Sequence, residues 1–349
     1  MIQTDILIIG AGPTGLFAVF EAGLLKMRCH IIDALPQAGG QCSEIYPKKP
    51  IYDIPGFPEI LAGDLTENLL EQGKQFEPGF TLGERAETIE KLEDGSFIVT
   101  TNKGTKHAAP IVAIAGGLGS FEPRKPDLEN RDFYENNGLN YFIKDPEVYR
   151  NKRVVISGGG DSALDWSIFL TDVAKKVTLI HRRNEFRGAL DSLEKAQTLT
   201  ASGKINLITP AVVTKIGGED HIEHLTVSKN GEELTIDTDY FIPLFGLSPK
   251  LGPIGNWGLE IEKNAIKVDT LDYQTNIPGI FAIGDVNTYP GKLKLILCGF
   301  HEATLMCQAA YKIINPGKKY VLKYTTVSGI DGFDGSRKEA PKAVVKALA

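Results

Sequence analysis

Two glycine-rich turns hold the residues of this chain whose types and spacing are most suited to chemistry. The first, Gly10-Ala11-Gly12-Pro13-Thr14-Gly15, follows the apolar run Ile6-Leu7-Ile8-Ile9, and an acid, Asp33, closes the next apolar run, Cys29-His30-Ile31-Ile32. In a strand–turn–helix unit, glycines at this spacing allow a tight turn, a close approach of backbone to a pyrophosphate, and close packing of helix on strand. Gly10, Gly12 and Gly15 take those parts in that order. The helix opening near Pro13 aims unpaired N–H groups and the positive end of its dipole at the phosphates. Asp33 stands where a carboxylate accepts hydrogen bonds from a ribose diol. A glycine turn without a ligand is the plainer alternative. The ordered succession of strand, helix, second strand and terminal acid favours a bound dinucleotide.

The second turn, Gly158-Gly159-Gly160-Asp161-Ser162-Ala163, follows Val154-Val155-Ile156-Ser157. Gly158, Gly160 and Ala163 repeat the pattern, with alanine as the third small residue, and Asp161 and Ser162 open the helix that faces the phosphates. Its second strand ends differently, on His181-Arg182-Arg183 with Arg187 close behind, and carries no acid there. A carboxylate at that place repels a 2′-phosphate, whereas guanidinium groups bind one through paired, charge-assisted hydrogen bonds. The expected ligand is therefore NADPH rather than NADH, with a solvated basic turn as the alternative.

The elements that must position these turns alternate between strand and helix, which predicts an α/β protein. A helix is expected over about Leu65 to Phe76, then strands around the turn signals Asp94-Gly95 and Lys103-Gly104 and a buried strand over Ile111 to Ala115. The second unit begins near Arg153, with a helix from Asp161 to about Leu170, a strand over Val177 to Ile180 and a hairpin at Asn230-Gly231. Tyr240 to Phe245 reads as another buried strand. Thr275 to Asp285 reads as a strand ending at an acid and followed by a helix. The tail after Gly335 is basic and alanine-rich, either a short helix or disordered.

The 349 residues suffice for two domains, and 42% apolar and 23% charged residues are ordinary for a globular chain. A net charge of −6 disfavours nucleic acid as a partner. The four cysteines, Cys29, Cys42, Cys298 and Cys307, include no Cys-x-x-Cys pair. With no signal peptide or disulfide framework, the chain reads as reduced and cytoplasmic. Gly10, Gly12, Pro13, Gly15 and Glu21 interrupt the apolar stretch from Ile6 to Leu25, so no membrane span is expected.

Together, the segments GAGPTGL, the GGQ loop, GGGDSALDW, HRR and FAIGD resemble the low-molecular-weight thioredoxin reductases across nearly the whole chain. That resemblance implies two Rossmann-like, three-layer ββα domains. The FAD-binding domain would be discontinuous, residues 1–117 and 247–349 with an extension from about 317, and the NADPH-binding domain would occupy 118–246. TNIPGIFAIGD resembles the second flavin motif of such enzymes, which assigns Asp285 to the FAD site although it is remote from Gly10. As a plain helix N-cap Asp285 would also be accounted for.

Thioredoxin reductases carry a Cys-x-x-Cys just ahead of the second nucleotide motif. The matching stretch here, Asn140-Tyr141-Phe142-Ile143-Lys144-Asp145-Pro146, has no cysteine. This departure, together with GGQCSEIYP, YDIPGFP, GGLGSFEPRKP and YTTVSG, resembles the thioredoxin-reductase-like ferredoxin–NADP⁺ reductases. The resemblance implies FAD contacts at Thr14, Asp33, Gln41, Tyr46, Ala86, Phe121, Asp285 and Thr326. Tyr46 would stack on one face of the isoalloxazine and Tyr324 is the candidate for the other, although either can be an ordinary tyrosine. It further implies hydride transfer from NADPH to the flavin, one-electron transfer to ferredoxin or flavodoxin, and a homodimer, with no metal, catalytic triad or general base. Lys48 and Lys49 are either a docking patch for an acidic partner or part of a solvated loop. A disulfide-independent NADPH oxidase or quinone reductase, or an FAD- and NADPH-binding sensor without turnover, are the alternative functions.

Overall fold

The computed structural model describes residues 1–119, 122–135, 137–248, 250–318, 329–330 and 332. Phe121, Tyr324, Thr326 and the tail 336–349 lie outside the described residues. The chain divides into two compact units, Met1–Ser120 with Pro249–Ala349, and Phe121–Ser248. The predicted return to the first unit at residue 247 comes slightly early. Leu247–Ser248 pairs antiparallel with Glu122–Pro123, and that pairing keeps both segments in the second unit.

In the first unit β1 (Ile6–Ile9) is buried along its whole length, as a strand covered on both faces must be. It leads into α1 (Pro13–Leu24), with proline in the first turn, where its missing N–H costs nothing. β2 (Cys29–Asp33) lies parallel to β1, with Ile8 opposite Ile31. The one-turn α2 (Gln41–Glu44) and the longer α3 (Ala62–Lys74) follow. The latter is shifted towards the N-terminus relative to the predicted Leu65–Phe76. Its first turn, Ala62-Gly63-Asp64, lacks a run of large apolar residues but puts an acid at the positive helix end, and Glu77, at φ 46°, stops any continuation. β3 (Gly79–Leu82) pairs parallel with β2. An antiparallel layer comes next, β4 (Ala86–Lys91), β5 (Phe97–Thr101) and β6 (Lys106–Ala109), and then β7 (Ile111–Ile114) returns beside β1.

The second unit repeats the plan. β8 (Arg153–Ser157), α4 (Asp161–Phe169), β9 (Lys176–Ile180), α5 (Leu190–Ala201) and β10 (Ile205–Ile208) precede an antiparallel sheet. That sheet is β11 (Ala211–Gly217), β12 (His224–Lys229) and β13 (Glu232–Asp237). Asn230 and Gly231, with φ 53° and 88°, form the two-residue turn between the last two strands. β14 (Tyr240–Pro243) closes a four-stranded parallel sheet in the order β10–β9–β8–β14. Val155, Ile180 and Phe241 from this sheet pack with Val213, Leu225 and Val227 from the antiparallel one.

Back in the first unit, β15 (Ile280–Ala282) completes a five-stranded parallel sheet in the order β15–β7–β1–β2–β3, and α6 (Ile296–Ile314) packs along α1. Alternation along β1 separates the layers. Ile6 and Ile8 join Leu16, Val19, Ala303 and Met306 on the helical side, whereas Leu7 and Ile9 join Phe97 and Val99 on the antiparallel side. The helix expected directly after Asp285 does not start there. Asp285 lies in a short 3₁₀ turn, Gly284–Val286, capped by Ile283, so it is not a helix N-cap. Asn287–Thr288 then pairs with Ala265–Lys267, and a turn at Gly291 (φ 81°) delays α6 to Ile296. Among the described residues no helix is long and apolar enough to cross a membrane.

Candidate functional site

Adding a methyl group to each glycine of the first turn, in thought, separates the glycines' roles. At Gly10, where φ is 114°, it would lie 2.4 Å from the Ala115 carbonyl oxygen, and at Gly15 it would lie 2.0 Å from the carbonyl oxygen of Gly10. At Gly12 it would meet nothing within 4 Å, and the backbone there is extended, at φ −73° and ψ 177°. The fold itself therefore demands Gly10 and Gly15, whereas Gly12 leaves open space at the N-terminus of α1.

Asp33 braces this turn. One carboxylate oxygen accepts the Ala11 N–H at 2.6 Å and the other the Leu35 N–H at 2.8 Å. Burial raises its carboxyl above the usual range, and the two N–H donors oppose that shift. Gly39 N–H donates to the Ala11 carbonyl at 2.8 Å, and Gly40 lies so close to Gly12 that a Cβ on it would be 3.1 Å from the Gly12 Cα. Gln41, which opens α2, is thereby held beside the turn.

Thr14 joins these residues to a segment remote in sequence. A Cβ on Gly299 of α6 would fall 2.2 Å from the Thr14 hydroxyl oxygen, and one on Gly284 would fall 3.0 Å from it. Gly284 and its neighbour Asp285 are thus brought to the start of α1. Burial raises the Asp285 carboxyl, Lys294 and Lys292 oppose the shift, and Glu302 adds to it. Tyr46 and Cys42 share a side-chain hydrogen bond, and both feel the charge of Asp285; burial pushes the Cys42 thiol up to about 11 and also raises the Tyr46 hydroxyl. Lys49 lies with its ammonium 5.8 Å from the centre of the Tyr46 ring. Ala86 is buried with Ile9 and Ile32, the residues directly before Gly10 and Asp33, on the side of the sheet that faces the antiparallel layer.

Glu302, which lies outside the sequence motifs, is fully buried on α6 and accepts four hydrogen bonds, from Gly284 N–H, the Asn287 amide, the Tyr289 hydroxyl and the Lys292 ammonium. Its signal in the sequence was an acid inside the otherwise apolar run that forms the buried face of a helix. That pattern is uncommon unless the acid is paired.

In the second turn a Cβ on Gly158 would lie 2.6 Å from the Leu244 carbonyl oxygen and 2.8 Å from the Ala163 Cβ, while on Gly160 it would meet nothing within 4 Å. The basic segment after β9 is folded back on the turn. The His181 ring occupies the space a side chain on Gly159 would need, its Nε2 lies 3.0 Å from the Glu185 carbonyl oxygen, and the Phe186 ring is 4.8 Å away. Arg187 N–H donates to the Gly159 carbonyl at 2.7 Å, and the Asp161 carboxylate accepts the Ala189 N–H at 2.7 Å. Asp161 therefore anchors the basic segment. Arg182, Arg183, Arg187 and Ser162 are exposed. Burial and the three guanidinium charges lower the His181 pKa, against the Glu185 carbonyl, which raises it.

All four cysteines are free thiols; Cys29, Cys42 and Cys307 are buried and Cys298 is half-buried. The pyridine nucleotide-disulphide oxidoreductase profile matches residues 4–304. The chain belongs to the pyridine nucleotide-disulphide oxidoreductase family. Within that family it is 79% identical over 349 residues, all of both chains, to the ferredoxin–NADP reductase of Flavobacterium johnsoniae. It is 74% identical over 353 residues, again all of both chains, to ferredoxin–NADP reductase 1 of Christiangramia forsetii. The ferredoxin–NADP reductase of Bradyrhizobium diazoefficiens is 50% identical over 329 residues, 94% of this chain and 96% of the relative. Among solved structures, the thioredoxin reductase of Lactococcus lactis in its FR conformation has a TM-score of 0.77 at 26% identity, with 89% of this chain and 99% of that one covered. The T. acidophilum thioredoxin reductase, at 24% identity and a TM-score of 0.78 over the same shares, shares the fold. This pyridine nucleotide-disulphide oxidoreductase thus has the fold of disulfide-reducing relatives without a cysteine pair at residues 140–146.

Proposed function

We propose that the protein is an FAD-dependent ferredoxin–NADP⁺ reductase, with FAD held by the first unit and NADPH by the second. The observation that carries this reading is the pair of like-built turns with unlike exits, a half-buried acid after the first and exposed arginines after the second. Identity of 79% to a ferredoxin–NADP reductase over the full length supports it. The residues present suit both nucleotides. Gly12 and Gly160 each leave open space at a helix N-terminus, where unpaired N–H groups favour phosphate. Gly10, Gly12, Thr14, Gly15, Asp33, Gln41, Tyr46, Ala86 and Asp285 would hold FAD. Phe121, Tyr324 and Thr326, outside the described residues, complete the proposed set. Gly158, Gly160, Asp161, Ser162, Ala163, His181, Arg182, Arg183 and Arg187 would hold NADPH.

Bound FAD supplies hydride acceptance at N5 and one-electron exchange with ferredoxin or flavodoxin. The chain's own part is binding and placement. The N-terminus of α1 receives the FAD phosphates, Asp33 keeps the turn in shape, and Tyr46 is held by Cys42 and Lys49 to present its ring. Arg182 and Arg183 select the 2′-phosphate. No cysteine pair lies at residues 140–146 to take electrons from the flavin, and the proposed acceptor is an external one-electron carrier, as the names of the relatives suggest. Homodimer formation and a cytoplasmic location belong to the same proposal.

Ferredoxin-dependent reduction of cytochrome c by NADPH tests the function directly. The purified protein is expected to be yellow and to bleach with NADPH, and turnover should depend on added ferredoxin. Thioredoxin with a chromogenic disulfide should stay at background. Turnover with thioredoxin, or quinone reduction indifferent to ferredoxin, would replace this reading.

A further inference from the structure

The buried pair of Glu302 and Lys292 lies outside every motif that led to the proposed function. Its side chains are 1% and 6% exposed, unlike surface pairs such as Glu71 with Lys74 or Asp191 with Lys195. A buried ion pair is a poor source of stability, because desolvation offsets most of the attraction. What a satisfied buried network does supply is a single geometry. Here that geometry belongs to the strap from Gly284 to Lys292. One carboxylate oxygen of Glu302 takes the Gly284 N–H at 2.6 Å and the Asn287 amide at 2.8 Å; the other takes the Tyr289 hydroxyl at 2.9 Å and the Lys292 ammonium. The Asn287 amide also donates to the Ala282 carbonyl at 2.9 Å, which ties the strap to the end of β15.

Two features of the strap point to a ligand rather than to packing. Gly284, at φ 77°, is pressed against Thr14 at the N-terminus of α1, so the carboxylate sets where that turn meets the open space beside Gly12. Asp285, the next residue, is a half-buried acid influenced by Lys292 and by Glu302 with opposite signs. Lys292 therefore serves two acids at once. It pairs with Glu302 and favours the charged form of Asp285.

We propose that Glu302 and Lys292 are positioning residues for the flavin nucleotide, holding the Gly284–Asp285 turn in the shape that receives FAD. The inference rests on the reading that FAD binds the first unit. Gln at position 302 would offer one acceptor oxygen in place of two, and its amide hydrogens would face the donors of the strap. Met at position 292 would leave Glu302 buried without its cation.

The test uses the full-length protein stripped of FAD, with FAD affinity read by quenching of flavin fluorescence and apoprotein stability read by thermal unfolding. The variants are Lys292→Met, the double variant Lys292→Met with Glu302→Gln, and Tyr289→Phe, which removes one hydrogen bond to Glu302. Lys292→Met should lose both affinity and stability. The double variant removes both charges and should recover much of the stability, while its FAD affinity stays weakened by about tenfold or more. Tyr289→Phe should fold normally and weaken FAD by about threefold. If affinity follows the unfolding midpoint in all variants, the pair is only structural and the inference falls. Should both Lys292 variants fail to fold, Tyr289→Phe decides, and unchanged affinity there overturns the inference. Failure of the unaltered protein to take up FAD would instead overturn the proposed function.

Discussion

At Gly10 and at Gly158 an added methyl would meet a carbonyl oxygen, of Ala115 in one unit and Leu244 in the other, whereas at Gly12 and Gly160 it would meet open space. The entrances of the two turns are thus alike, and their exits differ. After the first, Asp33 is half-buried with both oxygens committed to backbone N–H groups. After the second, exposed arginines ride on a segment tied back by His181, Arg187 and Asp161. The comparison teaches that the first glycine of such a turn answers to the fold, whereas the second is free of that demand and, on the proposed function, answers to the ligand. On the same proposal the residue type at the exit decides which nucleotide is favoured.

The largest effect expected from breaking the likeness lies at the first glycines. Gly10→Ala should destabilise the protein by about 2–4 kcal/mol, since a positive φ adds strain to the clash, and Gly158→Ala by about 1–3 kcal/mol. Denaturant titration reads both, and an unchanged midpoint would mean that the turns yield.

At the exits, neutralising Arg182 and Arg183 together should raise the NADPH KM by about tenfold or more, because each charge-assisted contact contributes roughly 1.5–3 kcal/mol before coupling. NADH turnover should barely change. Equal loss with both cofactors would assign the arginines to the fold.

A smaller effect separates the first unit from the second on acidification. His30 on β2 and His107 on β6 share the Thr81 hydroxyl, at 2.8 and 2.9 Å, in the interior of the first unit. Burial first, and then the neighbouring His107, lower His30 from 6.5 to about 4, and burial lowers His107 as well. The unfolded chain therefore binds more protons than the folded one between these values, so stability rises with pH across that window. The contribution of His30 is complete above pH 6.5 and is lost as pH falls towards 4. His30→Gln should flatten this part of a plot of unfolding midpoint against pH; an unaltered slope would exclude the pair.

The smallest change in stability is expected at the second glycines. Gly12→Ala and Gly160→Ala replace residues whose extended backbone any side chain adopts, so the apoprotein should shift by no more than about 1 kcal/mol. Retention of FAD should fall in the first and the NADPH KM should rise in the second. Undiminished binding would show that the open space beside these glycines is not used by phosphate.

Much of this was legible in the sequence where the decisive neighbours are close along the chain. The runs Ile6–Ile9 and Val154–Ile156, the turns that follow them, and the residues closing the second strands could be read because a strand–turn–helix unit is a local structure. α3 starts three residues before the expected Leu65, because its first turn is marked by an acid and not by apolar periodicity. The expected strand over Thr275 to Asp285 is confined to Ile280–Ala282, and Asp285, expected to close it and to precede a helix, lies in the 3₁₀ turn beyond. The intervening strap is set by pairing of Asn287–Thr288 with a segment far from it in the chain.

By itself the sequence determined that there are two glycine-rich turns of like spacing, that an acid follows one and arginines the other, and that no cysteine pair lies ahead of the second. These are statements about residue types at short spacings, and local backbone geometry turns them directly into chemistry. Only the tertiary structure decided that Thr14 meets Gly284 and Gly299, that Asp161 restrains the basic segment, and that Glu302 gathers the strap from Gly284 to Lys292. A buried carboxylate must find its donors wherever the fold brings them. Spacing along the chain does not reveal which ones they will be.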